Sequence, residues 1–472
     1  MYTGIYEPAH PTADEDGFRR DVLDLARELG VTIVRYPGGN FVSGYYWEDG
    51  VGPREKRPTR LDLAWHSIER NEVGTDEFIR WTRLVGVEPM LAVNLGTRGV
   101  DAARALVEYC NHPRGTAWSD QRAANGHPER HGVRVWCLGN EMDGPWQIGR
   151  KTALEYGRLA AEAGKAMKLV DPTIELVACG SSSHSMPTFG IWEATVLKEC
   201  HDIVDYISLH AYYEQIGDDL DSFLASACDM EAFIESVVAT CDHVRARLHS
   251  NQRINLSFDE WNVWYQSRLR DLDRREWGEH PRLIEDVYTL ADAVVVGTLL
   301  ITLLRHADRV RIACLAQLVN AIAPIMTEPG GSTWRQTIFY PFALTAARAR
   351  DGVVLRVEPD GPAIETVRYG TVPALAATAV WHEERGELGV FAVNRNMRES
   401  LELEVALRDL ERLAVREHTV LTGPDPGAMN TKEQPEQVRP RALEGARVER
   451  ARLRVTLPPL SWNLVRLVQG PR

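Results

Sequence analysis

The feature that most constrains the fold is a repeated alternation of short apolar runs with longer amphipathic segments over the first 320 residues. Strands that alternate with helices are typical of parallel βα units. The apolar runs lie at residues 31–36, 87–95, 133–139, 174–179, 203–210, 254–258 and 310–315. The amphipathic segments lie at residues 14–29, 75–85, 102–110, 152–169 and 230–248.

The number of runs predicts a barrel that is one strand short. A closed eight-stranded βα barrel needs about 250 residues, so residues 1–350 are long enough to form one. Only seven runs are visible, and two explanations remain open. Either residues 4–7 form a vestigial first strand, or the chain begins after that strand. We therefore expect a TIM-type (β/α)8 barrel domain whose first strand is either vestigial or missing.

The pattern changes after about residue 350. Runs such as 389–394, 401–405 and 453–457 alternate apolar with polar residues, and Pro/Gly turns separate them. Alternation of this kind favours antiparallel strands with one face in water. We expect a β-sandwich domain over residues 351–472, with residues 424–450 as one long loop.

Composition narrows the function and the compartment. The net charge of −13 disfavours a nucleic-acid partner, which needs a basic face. Seven scattered cysteines without a CxxC motif favour reduced thiols. The longest apolar stretch, residues 293–304, is far shorter than the roughly 20 residues that span a bilayer, and predicts a buried helix. No signal peptide is visible, so we expect a cytoplasmic protein without a membrane partner.

Two glutamates stand where a barrel enzyme carries its reactive groups, at the C-terminal ends of strands. Glu141 follows the third visible run and Glu260 the sixth, so three βα units separate them. Strands three positions apart in an eight-strand ring face each other across the mouth. Two facing carboxyls are what glycoside hydrolysis requires, with a gap of about 5–5.5 Å for retention or about 6.5–9.5 Å for inversion. On residue type alone, however, most glutamates are solvated surface charges.

Other run ends place polar and aromatic groups at the same mouth. Arg35 lies at the end of the first run and Asn40 follows it, and an arginine at a strand end is costly unless it is paired. Tyr212 follows the fifth run, where its hydroxyl could keep a carboxylate ionised. Gln317 adds an amide after the seventh. Walker, GxSxG and strand-linked GxGxxG motifs are absent from the sequence, and no carboxylate and histidine spacing indicates a metal site.

Three motifs together resemble glycoside hydrolase family 51, whose members are mainly intracellular α-L-arabinofuranosidases. They are residues 35–40 (RYPGGN), 136–146 (WCLGNEMDGPW) and 258–264 (FDEWNVW). Similarity extends to residues 92–98 (AVNLGTR) and 314–320 (CLAQLVN). The resemblance covers nearly the whole chain, and its motifs are long and specific.

The resemblance implies a (β/α)8 barrel with a C-terminal β-sandwich, and a retaining double displacement without cofactor or metal. Glu141 would match the general acid/base and Glu260 the nucleophile. It further implies terminal arabinofuranosyl units of arabino-oligosaccharides as substrate, and a homo-oligomer, often a hexamer. Residues that would match the substrate- or nucleophile-binding groups are Asn40, Asn140, Tyr212 and Gln317, with Trp65 and Trp264 as aromatic walls and Arg35 as a support.

The chain departs from the family pattern at its start. Family members carry a further segment that supplies a sandwich strand and the first barrel strand, with a substrate-binding glutamate. We therefore expect Glu141 to follow the fourth strand of a complete barrel and Glu260 the seventh. Two alternatives stay open: a barrel glycosidase acting on β-glucans or xylans, and a truncated, inactive sugar-binding form.

Overall fold

The computed structural model describes residues 4–269, 276–410 and 412–470. Seven parallel strands form one nearly closed sheet, and their order across the sheet is their order along the chain. The barrel predicted from the sequence is thereby confirmed. The strands are β1 (Ile33–Tyr36), β2 (Glu88–Ala92), β3 (Val135–Leu138), β4 (Glu175–Ala178), β5 (Tyr206–Tyr213), β6 (Asn255–Val263) and β7 (Val310–Leu315).

Helices surround this sheet because each presents an apolar stripe to it. Most coincide with the amphipathic segments of the sequence, although the segment predicted from residue 14 becomes helical only at residue 20. Leu290–Arg305 is buried on almost all sides, as its unbroken apolar sequence predicts. The remaining helices are Arg20–Leu29, Thr75–Val85, Val100–Asn111, Ala117–Ala124, Ala153–Val170, Ile191–Cys200, Leu220–Leu224, Ala227–Arg247 and Phe339–Ala349.

A seam remains between the first and last strands of the sheet. Within the described ranges, β1 and β7 are its two ends and no ladder joins them. A cavity of about 810 Å³ runs along this seam and reaches the mouth of the barrel. Tyr6 forms an isolated bridge with Phe18, and none of residues 4–7 belongs to the seven-stranded sheet, so the suggestion of a vestigial barrel strand at residues 4–7 is wrong.

The C-terminal strands form two antiparallel sheets around a second apolar core. One sheet contains Val353–Leu355, Leu375–His382, Glu387–Asn394, Leu413–Leu421, Arg441–Ala442 and Ser461–Gln469. The other contains Leu401–Ala406, Arg447–Glu449 and Arg452–Leu457. The expected sandwich is therefore present, but the region predicted as one loop at 424–450 carries two short strands.

The sandwich packs on the barrel through the buried helix Leu290–Arg305, which contacts four strands of its larger sheet. Within the described part of the chain, no helix is both long enough and apolar enough to cross a membrane. Three smaller sheets complete the fold: Arg60–Asp62, Ser67–Glu69 and Gly278–Glu279; Ile325–Thr327 and Thr333–Arg335; Ala363–Thr366 and Gly370–Pro373.

Candidate active site

The two predicted glutamates meet at the C-terminal ends of β3 and β6. Glu141 lies in a tight turn after β3, in which Gly139 has φ 98° and Glu141 itself φ 44°. Left-handed backbone at a non-glycine residue is strained and is concentrated at functional sites. A carboxylate oxygen of Glu141 lies within 4.8 Å of one of Glu260. Both side chains remain slightly open to solvent, at 7% and 8% exposure.

Glu260 is held by two donors from other strands. Arg35 Nη1 donates to Oε1 at 2.7 Å, and the Tyr212 hydroxyl donates to Oε2 at 2.8 Å. Burial alone would raise the pKa of Glu260, but the positive charges of His210 and Arg35 and these hydrogen bonds lower it below its ordinary value. Glu260 is thereby kept ionised, as a nucleophile must be.

Two asparagines connect the sides of the mouth. Arg35 Nη2 donates to Asn140 Oδ1 at 2.7 Å, and Asn140 Nδ2 donates to Asn40 Oδ1 at 3.3 Å. Asn140 is fully buried, whereas Asn40 is half-buried. The predicted arginine and the two predicted asparagines therefore form one network with Glu260.

The other predicted residues stand around this centre. Trp65 and Gln317 line the cavity that also contains Glu260. Trp264 packs edge-on against the Tyr212 ring, with centroids 4.8 Å apart at 78°. All nine predicted site residues thus lie at or beside one mouth, and their individual roles stay predictions.

Three further residues belong to this network and were not among the predicted set: His210 and Trp146, which contact Glu141, and Asp259, which contacts His210. His210 Nδ1 lies 2.9 Å from Glu141 Oε1, and its Nε2 lies 2.9 Å from Asp259 Oδ1. Trp146 Nε1 donates to Glu141 Oε2 at 2.6 Å, although half of its side chain is exposed. Strand alternation could have found His210, because it lies two residues before Tyr212 and so on the same face.

Donor groups are close enough to hold a metal ion in two places within the described residues. One set is Glu141, His210 and Glu260. Their donor atoms already bond one another, Asp259, Arg35 and Tyr212, so a cation there would displace existing hydrogen bonds and stand beside a guanidinium. The second set lies outside the mouth and consists of Glu231, Glu235 and His306.

A βα barrel with paired glutamates on facing strands and a C-terminal β-sandwich defines the class of barrel glycoside hydrolases. Two family models match the chain. The "Alpha-L-arabinofuranosidase 1 domain" matches residues 25–226, and the "Alpha-L-arabinofuranosidase C-terminal domain" matches residues 259–461. The chain belongs to the α-L-arabinofuranosidases of glycoside hydrolase family 51.

Individual relatives agree with this assignment. An "Intracellular exo-alpha-(1->5)-L-arabinofuranosidase" of Streptomyces lividans is 60% identical over 99% of this chain and 70% of its own length. A protein of the same name from Halalkalibacterium halodurans is 56% identical over 99% of this chain and 93% of its own length. The solved structure of AbfB, a family 51 α-L-arabinofuranosidase from Bifidobacterium longum, has a TM-score of 0.96 and 48% identity, covering 100% of this chain and 93% of that one.

Proposed function

We propose that this protein is a retaining, exo-acting α-L-arabinofuranosidase. It releases terminal non-reducing α-L-arabinofuranosyl residues from arabino-oligosaccharides and from fragments of arabinan and arabinoxylan. The observation that supports retention is the approach of Glu141 and Glu260 to within 4.8 Å, oxygen to oxygen. Retaining glycosidases hold their carboxyls about 5–5.5 Å apart, whereas inverting enzymes leave about 6.5–9.5 Å for a water.

The electrostatics of the mouth divide the roles of the two carboxyls. Glu260, held ionised by Arg35 and Tyr212, attacks the anomeric carbon and forms a covalent arabinosyl-enzyme. Glu141 protonates the glycosidic oxygen as the bond breaks, and then takes a proton from the water that releases arabinose. Asn40, Asn140 and Gln317 supply hydrogen bonds to the sugar hydroxyls.

The aromatic residues complete the binding site. Trp65 lines the cavity and Trp264 backs Tyr212, so both can form apolar walls beside the furanose ring. The proposed reaction needs no cofactor, because the side chains of Glu141 and Glu260 carry out both proton transfers and the nucleophilic attack.

The test uses two substrates that differ in their leaving group, an aryl α-L-arabinofuranoside and an arabino-oligosaccharide. Glu260→Ala should abolish turnover of both. Glu141→Ala should spare the aryl substrate far more than the oligosaccharide, because a good leaving group needs no proton. Glu404→Ala, which removes an exposed sandwich carboxylate, is the control and should leave both rates unchanged.

The stereochemical course is read by NMR of the first-formed sugar. An α-arabinofuranose product supports retention, and a β-product contradicts the assigned mechanism. A panel of aryl glucosides and xylosides tests the alternative that the protein is a barrel glycosidase acting on β-glucans or xylans. Binding of an arabinose analogue without turnover of any substrate would support the inactive sugar-binding form.

Location, assembly and domain division are part of the same proposal. Relatives named as intracellular support a cytoplasmic enzyme. The family resemblance supports a homo-oligomer, with a hexamer as the expected size, which light scattering measures directly. The division into residues 1–350 and 351–472 is supported by the start of the antiparallel sheets at Val353–Leu355.

A further inference from the structure

Asp259 is a buried carboxylate beside the nucleophile that the proposed mechanism does not use. It is only 3% exposed, although it immediately precedes Glu260 in β6. Its Oδ1 lies 2.9 Å from His210 Nε2, and its Oδ2 lies 3.9 Å from Arg35 Nε and 3.6 Å from the Cys137 thiol. A buried carboxylate is costly unless its partners compensate it, so this arrangement needs a reason.

His210 connects Asp259 to Glu141. A carboxyl oxygen stands 2.9 Å from each ring nitrogen: Asp259 Oδ1 at Nε2 and Glu141 Oε1 at Nδ1. A neutral imidazole carries only one N–H, so one of these contacts would set a bare nitrogen against an oxygen unless that carboxyl carried the proton. The doubly protonated ring satisfies both contacts as a donor.

The charges that face His210 favour this doubly protonated ring. Burial would lower the pKa of His210, but the negative charge of Glu260 and the contacts with Asp259 and Glu141 raise it well above its ordinary value. Burial would raise the pKa of Asp259, and the charge of Arg35 and the bond with His210 lower it instead. The other titratable groups next to these residues are Tyr212, Cys137, Cys179, Cys314 and Asp143.

The two oxygens of Glu141 have different surroundings. Oε1 lies 2.9 Å from His210 Nδ1 in the buried part of the site. Oε2 accepts from Trp146, whose side chain is half exposed, so Oε2 lies on the open side of the mouth, where a leaving group can reach it.

We propose that Asp259 is a positioning residue that acts through His210. It fixes the ring as an imidazolium with Nδ1–H directed at Glu141 Oε1, and so reserves Oε2 of Glu141 for proton transfer to the glycosidic oxygen. The proposal rests on the proposed function, because it assigns a cause to the orientation of the acid/base. It predicts that Asp259 matters most for substrates that need the acid.

The central experiment compares Asp259→Asn with the wild-type enzyme on the same two substrates across pH. We expect kcat/KM for the arabino-oligosaccharide to fall about 10- to 100-fold, with a much smaller fall for the aryl substrate. The fall is smaller than the roughly 10²- to 10⁴-fold contribution of a general acid, because Glu141 itself remains. We expect the basic limb of the pH profile to move, because His210 loses the carboxylate that helps to raise its pKa. Equal losses on both substrates with an unmoved limb would overturn the proposal.

A double-mutant cycle separates this role from a merely structural one. If Asp259 acts through His210, the double variant Asp259→Asn, His210→Gln loses no more activity than His210→Gln alone, whereas additive losses contradict the proposal. Asp76→Asn is the matched control, because Asp76 is an equally buried partner of a histidine, His131, at 2.8 Å. It should change neither the leaving-group dependence nor the pH profile.

Two further outcomes keep the proposal falsifiable. If Asp259→Asn does not fold, 15N NMR of histidine-labelled wild-type enzyme reports the ring directly, with the His210 signal assigned from His210→Gln. A neutral ring in the working pH range overturns the proposal, and an imidazolium supports it. Failure of the wild-type enzyme on every arabinoside would instead refute the proposed function, so the two failures are distinguishable.

Discussion

Replacing Arg35 by methionine should destabilise the protein in a pH-dependent way. The guanidinium donates two hydrogen bonds of 2.7 Å, to Glu260 and Asn140, and lies 3.9 Å from Asp259. Hydrogen bonds to charged groups contribute about 1.5–3 kcal/mol each. Removing one partner of a buried ion pair costs about 3–5 kcal/mol, because the other charge is left uncompensated. At neutral pH we therefore expect Arg35→Met to lower the melting temperature by about 6–10 °C, at roughly 2 °C per kcal/mol.

The pH dependence follows from the lowered pKa values of Glu260 and Asp259 in the folded protein. Stability from such a group is present above its unfolded pKa of about 4 and is lost as the pH falls through its folded value. In the variant, burial is no longer opposed by Arg35, so both carboxyls take up protons at higher pH. The decrease in melting temperature caused by Arg35→Met should therefore be roughly half as large at pH 4.5 as at pH 7.5.

Differential scanning calorimetry at these two pH values tests the reasoning, and the hydrolysis rate is recorded in parallel. Arg57→Met is the matched control, because Arg57 pairs with Glu77 at 2.8 Å and is also buried. It should destabilise the protein without abolishing hydrolysis. If Arg35→Met lowers the melting temperature equally at both pH values, or hydrolyses the substrate normally, Arg35 does not compensate Glu260 and Asp259 as argued.

Three smaller predictions concern single contacts. Trp146→Phe removes the 2.6 Å hydrogen bond to Glu141 but keeps an aromatic ring, and should lower kcat on arabino-oligosaccharides about 10- to 100-fold in steady-state assays. Gly297→Ala should lower the melting temperature, at a cost of about 1–3 kcal/mol, because the new Cβ would lie 2.2 Å from Trp462 Cδ1. Burial raises the pKa of Asp292 to about 6, although hydrogen bonds from Thr289 oppose this shift. The stabilising contribution of Asp292 is therefore lost as the pH rises through about 6. Asp292→Asn should flatten the dependence of the melting temperature on pH.

Each of these three predictions has a control or a result that would contradict it. Equal losses of Trp146→Phe on aryl and natural substrates would show that the hydrogen bond does not serve the acid. Gly361→Ala, whose Cβ meets nothing within 4 Å, is the control for Gly297→Ala and should be neutral. A pH dependence that is unchanged in Asp292→Asn would show that other groups cause it.

Strand and helix positions followed from residue periodicity, because a strand or helix that buries one face must repeat its apolar residues at the matching spacing. The ends of the strands were less predictable. The run predicted to end at residue 258 continues as strand to Val263, and the run predicted to end at residue 210 continues to Tyr213. Both extensions contain polar site residues, which break the apolar pattern that identifies a strand.

The pairing of the candidate glutamates was predictable from topology, since parallel strands of a barrel present their C-terminal ends at one mouth. The role of Asp259 was not, because adjacent residues of a regular strand point to opposite faces. Ser208 of β5 pairs with Ser257 of β6, but His210, two residues later, pairs with Glu260, three residues later. The pairing of β6 with β7 shifts in register at the same place. This bulge adds one residue, so Asp259 and Glu260 both reach His210.

The sequence by itself determined the order of the elements, the barrel and sandwich architecture and the two glutamates, because local periodicity and residue type are properties of short segments. Only the tertiary structure decided the strand register of β6, the seam beside β1 and the hydrogen bonds that distinguish one carboxyl from the other. Those depend on distances between residues far apart in the chain, and a shift of one residue in register changes them while leaving the sequence pattern the same.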